Sequence, residues 1–327
     1  MESVGDNMLP INHDNIEKFY DCLNETTTII MKKLKKAYPE SLILSVNYLL
    51  DGNIINDDLD KETIIELKSI YQSIEDISLN REEMRKAFQL CLLLGLKHEN
   101  RSLSTLTPDS IGVLFAYFID RFYQNGESVD LLDGTVGTGN LLVSVLNQST
   151  SKFRHVYGVD QDYKQLEIAL SLADLTDYQI EFIHQDSRGD LIIPMFNLII
   201  GDLPTGYEGQ TIDTNLTLNI IKNLMRYNKP GGYFIYLIPD DFFNRPNLDE
   251  QKEIILGYTH IEALISLPDT MFKTKEGKKS ILILRKRGEE MEPNREILVL
   301  DFPSFNETKN VKKAIDRFDQ WFKINHK

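Results

Sequence analysis

The sequence predicts an α/β protein with a mostly parallel, seven-stranded sheet that has an antiparallel edge, preceded by a helical domain. Three observations predict it. From about Ile16 to Leu96, apolar residues recur at three and four spacings, as in Ile64, Ile65, Leu67, Ile70, Tyr71 and Ile74, and Gly and Pro are sparse. After HENRSLSTL, short apolar runs alternate with helical stretches. Four of those runs end on an acid or lead straight into one: Asp133, Asp160, Asp186 and Asp202. The change of character divides the chain into a helical domain over 1–104 and an α/β domain over 105–327.

Within the first domain, SLILSVNYLLDGNIIN interrupts the pattern and predicts a short strand or a turn at Asp51-Gly52. At the start of the second, Thr107 and Pro108 predict a helix start, a capping hydroxyl followed by a proline preset for the first helical position. The helix continues through IGVLFAYFIDRF, and its stripe of Phe115, Tyr117, Phe118, Phe122 and Tyr123 reads as core packing. SVDLLD, HVYGVD, IEFIHQD, FNLIIGD, YFIYLIPD and HIEALISL read as six buried strands, with helical patterns after the first, second, fourth and fifth. Such alternation means a parallel sheet covered on both faces. KKSILILRKR and REILVLDF are close enough in sequence to pair antiparallel at one edge, and a last helix carries Trp321 as a docking anchor.

Bulk properties narrow the classes. Hydrophobic content of 42% and charged content of 26% belong to an ordinary folded chain and exclude disorder. The net charge of −14 argues against a surface basic throughout, as dedicated duplex binders have. Residues 271–327 nevertheless carry 14 Lys/Arg against 9 Asp/Glu, concentrated in FKTKEGKKSILILRKR. Solvated strand ends and a loop are the favoured reading of that stretch, with a local basic patch as the alternative. Cys22 and Cys91 are far apart and form no CxxC, which fits a reducing compartment, and the scattered histidines give no support to a metal site. MESVGDNMLP has no basic leader pattern, and no apolar run approaches the ~20 residues that span a bilayer, so the chain reads as cytoplasmic, with no membrane partner.

The four strand-end acids converge on one rim, because ligands of open parallel sheets bind outside the carboxyl ends of the strands. The first strand runs into DGTVGTGNLL, where Gly134, Gly137 and Gly139 allow a sharp turn and close approach to a ligand. The dinucleotide fingerprint fails: counting from Gly137 the sixth residue is Leu142, and counting from Gly134 the third is Val136. No Gly-Lys-Ser/Thr follows, so this is no P-loop. An acid followed by a glycine loop without a phosphate-binding lysine suits a cationic amine, which Asp133 could accept from. Asp160, after YGV, suits a ribose diol, and Asp186, in HQDS, could accept from an adenine amine. A strand-end Asp is also a common turn former, and for Asp186 alone the two readings balance. Amine, ribose and adenine together describe S-adenosylmethionine, with Thr135, Asn140, Gln161 and Ser187 as neighbouring candidate contacts.

Taken as a series, these segments resemble the Rossmann-like class I methyltransferases, and among them the N6-adenine DNA methylase family related to type I modification subunits. TPDSIG at 107–112 resembles that family's segment ahead of the glycine loop, DGTVGTGNLL its D-P-x-x-G-x-G motif, GVD its ribose motif and DLPTGY its catalytic motif. IPDDFF and ISLPDTMF resemble its segments around the fifth and sixth strands. The resemblance covers about 105–287; residues 1 to about 100 are similar to the family's helical region in general character. It implies that the helix begun at Thr107 helps close over the methionine end of the cofactor. It also implies that DLPTGY acts as the family's Asn/Asp/Ser-Pro-Pro-aromatic motif, in which the first side chain and the second carbonyl accept the two protons of an exocyclic amine and the aromatic stacks the base. Asp202 fills the first position and Leu203 supplies the carbonyl, while Pro204 holds Leu203 extended. Thr205 stands where the aromatic is expected, and Gly206 would have to swing the ring of Tyr207 into its place. The bland alternative is a simple turn after a strand.

The implied activity is direct methyl transfer to adenine N6 in DNA, without metal or covalent intermediate. RNA or a protein glutamine amide are alternative acceptors, a S-adenosylmethionine-binding protein without catalysis is the alternative of another class, and a dehydrogenase comes third. About 120 residues follow the motif, nearly all needed to finish the sheet, so nucleic-acid recognition would fall to the helical domain, the 273–287 segment or a partner subunit. The helical domain is also the expected surface for a homodimer or a specificity partner.

Overall fold

The structure, a computed structural model, describes residues 11–98, 106–124, 126–208, 211–246, 248–272, 274, 277–288 and 296–326. In chain order the helices are α1 (His13–Leu34), α2 (Tyr38–Asp51), α3 (Lys61–Gln72), α4 (Arg81–His98), α5 (Asp109–Phe122), α6 (Asn140–Gln148), α7 (Tyr163–Leu175), α8 (Leu216–Leu224), α9 (Leu248–Tyr258) and α10 (Thr308–Asn325). The strands are β1 (Ser128–Asp133), β2 (Lys152–Asp160), β3 (Glu181–His184), β4 (Phe196–Asp202), β5 (Tyr207–Glu208), β6 (Thr211–Ile212), β7 (Asn228–Pro239), β8 (Thr259–Ser266), β9 (Lys279–Lys286) and β10 (Leu298–Asp301). They form two compact units, each drawn from several stretches of chain.

The helical unit combines the described residues of Met1–Thr107 with Gly137–Ser149 and Asp162–Ile180, so α6 and α7 from mid-chain belong with α1–α4. Three of its first four helices begin at polar caps, and α2 begins without one. Asn12 accepts from the Asp14 N–H and Asp60 from the Thr63 N–H, while Asn80 and Glu83 exchange backbone N–H bonds at 3.0 Å in a capping box. The SLILSVNYLLDGNIIN interruption is helix followed by a turn, with Gly52 at φ 62 closing α2, and not a strand. Leu42 and Val46, four apart, both face the core with Phe19, Leu23, Phe88, Val143 and Leu172. A short apolar run fits either element, and here the helical spacing prevails. Cys22 and Cys91 are free and buried in this unit, and burial pushes both thiols up to about 12.

A dry polar cluster ties α4 to α6. The Arg85 guanidinium, fully buried, donates to Glu82 at 2.7 and 2.8 Å and to Asn140 Oδ1 at 2.6 Å. Glu82 also accepts from Asn147 at 2.9 Å, and Asn140 Nδ2 donates to the Thr107 carbonyl at 2.9 Å. Ions this deep are tolerated only when paired and fully hydrogen-bonded.

The second unit comprises Pro108–Val136, Thr150–Gln161 and the described residues of Glu181–Lys327. Its sheet has eight strands in the order β10-β8-β9-β7-β4-β1-β2-β3. β3, β2, β1, β4 and β7 are parallel neighbours. The two late strands do not pair with each other: β9 lies antiparallel between β7 and β8, and β10 runs parallel to β8 at the edge. Side-chain pattern explains the difference. Ile281 to Leu284 is an unbroken apolar run buried on both faces, as an interior strand requires, whereas β10 alternates buried and exposed as an edge strand does. β7 begins at Asn228, five residues earlier than its apolar run suggests, because Asn228 still pairs with Phe196 before the Pro-Gly-Gly stretch shifts the register.

α5 begins at Asp109, with Pro108 extended at φ −60, ψ 142 as its N-cap and accepting from the Ile111 N–H. The expected start is therefore corrected by one residue: Pro108 is the N-cap and not the first helical residue. Alternation along β7 supplies both faces of the sheet. Phe234, Tyr236 and Ile238 join a core with Leu218 and Ile221 of α8 and Ile255 of α9. On the opposite face Tyr233 stacks on Phe122 of α5 at 4.2 Å, and Phe118 meets Phe318 of α10 at 4.7 Å. Trp321 is buried, with its indole N–H on the Glu296 carbonyl. No helix among the described residues is long and apolar enough to cross a membrane.

Arg85→Ala would take from buried Glu82 its two-pronged guanidinium partner, leaving only the Lys86 ammonium at 3.6 Å. Urea unfolding is expected to show a loss of about 3–5 kcal/mol, and an unchanged midpoint would contradict this account of the cluster.

Candidate functional site

Parallel pairing fixes the rim within the sheet unit. Asp133, Asp160 and Asp202 are the last residues of β1, β2 and β4, and Asp186 follows β3 by two. Asp133 is the deepest, 1% exposed. Its Oδ1 accepts from the Thr135 N–H at 3.1 Å, while Oδ2 is buried with no hydrogen-bond partner among the described residues. Burial, reinforced by the charges of Asp160 and Asp202, raises its pKa to about 8 against the pull of the Thr135 donor. The fully buried Tyr236 hydroxyl is likewise unpartnered and feels the charge of Asp133. An ammonium group brought to Oδ2 would supply both the missing hydrogen bond and the missing positive charge.

Other candidate residues around this rim hold the backbone. Thr135 Oγ1 donates to the Asp202 carbonyl at 3.3 Å, Ser187 Oγ to the Gly134 carbonyl at 2.5 Å, and the Gln161 carbonyl lies 2.9 Å from His184 Nε2. A Cβ on Gly134 would collide with Leu224 of α8, so that glycine serves close packing. Asp186 is gripped by Arg188 through Nη2 at 2.6 Å and Nε at 3.0 Å, which holds its carboxyl below the usual range. Thr107, Gly137, Gly139 and Asn140 belong to the helical unit. There Gly137 and Gly139 take φ 54 and 80, Gly139 caps α6 against Ala169, and Asn140 is engaged at both ends by Arg85 and Thr107.

The turn after β4 is held at every carbonyl. Asp202 O accepts from Thr135, Leu203 O from Lys279 Nζ at 2.9 Å, and Pro204 O from Thr217 Oγ1 at 2.8 Å. Thr205 O accepts from Arg245 Nη2 at 2.8 Å and Gly206 O from the Asp213 N–H at 2.9 Å. Leu203 N–H still reaches Leu237 O, so the β4–β7 ladder carries into the turn. Gly206, at φ 80, starts the hairpin of β5 and β6; a side chain there would strike the Asp213 carbonyl. The ring of Tyr207, expected to replace the aromatic missing at Thr205, lies outside the described residues.

Two neighbours of the turn escaped the reading of the sequence. Arg245, buried and paired with Asp241, clamps the turn from 40 residues away. Lys279 ion-pairs with Asp202 Oδ1 while bonding Leu203 O, and the two side chains are only 13% and 16% exposed. Its signal lay in the basic FKTKEGKKSILILRKR segment, but only the antiparallel insertion of β9 brings a strand's first residue to the carboxyl rim. Other cations of that segment are also engaged: Lys278 with Asp269 at 2.8 Å, Lys286 with the Met225 carbonyl, Arg287 with that of Thr259, and Arg285 over the ring of Tyr233. Lys273 and Lys275 lie outside the described residues. No group of three potential metal ligands occurs among the described residues.

Residues 17–96 match the YtxK N-terminal helical domain family. The uncharacterized protein YtxK of Bacillus subtilis strain 168 is 32% identical, covering 95% of this chain and 98% of its own. The chain belongs to the YtxK family. This YtxK-family chain is also similar to the crystal structure of a candidate class I S-adenosylmethionine-dependent methyltransferase from Listeria monocytogenes, with 30% identity, TM-score 0.85, and 95% and 100% of the two chains covered. A modification subunit of a candidate type I restriction enzyme from Vibrio vulnificus YJ016 shares the fold at 11% identity and TM-score 0.65, over 95% and 91% of the chains. The YtxK-family chain therefore carries the α/β architecture of class I methyltransferases behind a helical domain.

Asp133 links the rim to pH. Its folded-state pKa of about 8 stands above the ~4 of an unfolded chain, so between those values only the folded state holds the proton. Stability should then fall as pH rises through that window, by up to ~1.4 kcal/mol per pH unit. Asp133→Asn removes this slope: scanning calorimetry should find it more stable than wild type near the upper end of the window and close to it near the lower end, and the opposite order would refute the assignment.

Proposed function

We propose that the protein is an S-adenosylmethionine-dependent N-methyltransferase whose acceptor is an exocyclic amine, with adenine N6 in nucleic acid, DNA before RNA, as the leading candidate. One observation carries this reading: Asp202 Oδ1 and the Leu203 carbonyl address a single nitrogen, that of Lys279. An aromatic amine delocalises its lone pair into the ring, and two acceptors on its two N–H groups are what turn that lone pair toward a methyl donor.

The residues at the rim fit the cofactor. Asp133 Oδ2, a buried oxygen with no hydrogen-bond partner among the described residues, would take its ammonium, and Asp160 its ribose diol. Asp186 can serve the adenine amine once its pair with Arg188 opens. The cofactor supplies a methyl group on a sulfonium, a good leaving group that needs no metal or covalent enzyme intermediate. Asp202 and Leu203 orient the acceptor, Asp202 or water takes the released proton, and the hydrogen-bonded carbonyls keep the turn from yielding. The ordered series of segments at 107–112, 133–142, 158–160 and 202–207 supports adenine over a glutamine amide. Recognition of a nucleic acid would rest on the helical unit or a partner, since the described basic residues near β9 are engaged within their own unit.

Thr205 in the aromatic position favours one second reading, a S-adenosylmethionine-binding protein that does not turn over external amines. Calorimetric titration should show saturable binding of S-adenosylmethionine and none of NAD, and Asp160→Ala should weaken it. Asp202→Ala should cut labelled-methyl transfer to nucleic-acid fractions roughly 100-fold or more while leaving cofactor binding largely intact. Transfer that survives the substitution would exclude the turn as the catalytic element; cofactor binding without transfer to any fraction would favour the second reading.

A further inference from the structure

We infer that Lys279 is a methyl acceptor of this same site, modified in cis; the inference rests on the methyl-donor reading above. The Lys279 nitrogen occupies the position assigned to the acceptor amine, contacting Asp202 Oδ1 and the Leu203 carbonyl. A neutral primary amine has two N–H bonds and one lone pair. With both N–H bonds taken by the two acceptors, the lone pair is left in the one remaining tetrahedral direction, the orientation the transfer requires of any amine.

Its delivery is rigid. Lys279 opens β9 opposite Pro239 of β7, and from the next residue, Ser280, β9 is paired with both β7 and β8, so the side chain rises to the rim from the end of an interior strand. An amine held this way competes with any external acceptor at the high effective concentration of an intramolecular group. It also lies in a largely desolvated pair, which favours close contact over exchange with water.

The step balances simply. The Lys279 ammonium gives one proton to Asp202, and from there to water. The freed nitrogen lone pair forms the N–C bond to the methyl carbon as the C–S bond breaks. The bonding pair stays on sulfur, so the sulfonium becomes the neutral thioether of S-adenosylhomocysteine and the lysine becomes N-methyl-lysine. After a second methylation the neutral amine has no N–H left for either acceptor, so modification is expected to stop at the mono- and dimethyl forms.

The test uses the purified full chain incubated with S-adenosylmethionine, followed by peptide mass spectrometry, with cofactor binding measured in parallel by calorimetry. The expected result is a gain of one or two CH2 units on the peptide bearing Lys279, absent from Lys279→Met and lost in Asp202→Ala, whose folding is checked by thermal unfolding. Bound cofactor with Lys279 unmodified after prolonged incubation overturns the inference and leaves the lysine a blocker of the acceptor position. Modification that persists in Asp202→Ala, or spreads evenly over surface lysines, overturns it as well. Failure to bind the cofactor removes the parent reading and this one together, and is told apart by the calorimetry.

Discussion

Parallel strands all point their carboxyl ends to one side, and in this sheet that polarity gathers four aspartates on one rim. Like charges in a partly dry setting cannot all remain ionised without compensation. Each carboxylate described in detail meets that constraint differently. Asp202 takes the ammonium of Lys279, Asp186 takes the guanidinium of Arg188, and Asp133, deepest of all, keeps a proton well above its usual range. The distribution of cations around the rim thus separates carboxylates paired with a cation from one that keeps its proton. Asp133 Oδ2 makes no hydrogen bond among the described residues, the feature on which the proposed ammonium site rests.

The turn after β4 shows how a short, strained-looking segment becomes rigid. Its five consecutive carbonyls find donors on five different elements of sequence, from Thr135 to Lys279. Orphaned backbone groups would be costly there, and satisfying them also fixes where Asp202 and the Leu203 carbonyl point. Two acceptors held a fixed distance apart are a device for orienting an amine, whichever amine occupies them. That Lys279 does so links the folding of β9 to the chemistry proposed for the site.

The helical unit is not a simple amino-terminal appendage. α6 and α7, which follow the first two strands, complete its core through Val143 and Leu172, and α6 shares the buried Arg85 and Glu82 cluster with α4. Asn140 therefore has a structural duty in this unit, and Gly139 lets α6 begin close to Ala169. Residues of one glycine motif divide between two tasks: Gly134 and Thr135 shape the sheet rim, Gly139 and Asn140 the helical unit.

The sequence by itself determined the kind of fold, the parallel strands and the rim they share, because these follow from local patterns, but not the pairing of the two late strands or the eighth strand of the sheet. FNLIIGD and SVDLLD are strands over those residues, since short, mostly apolar runs ending on an acid have one economical placement in a parallel sheet. It also contained, unread, the reason β9 is interior and β10 an edge: one run is apolar on both faces and the other alternates. The tertiary structure alone decided what surrounds each acid. Lys279 lies 77 residues from Asp202, and Arg245 lies 40 from Thr205, so no spacing rule relates them. Their meeting depends on the direction of one inserted strand and on which carbonyls the turn leaves to be satisfied, and both are properties of packing that no local window of sequence contains.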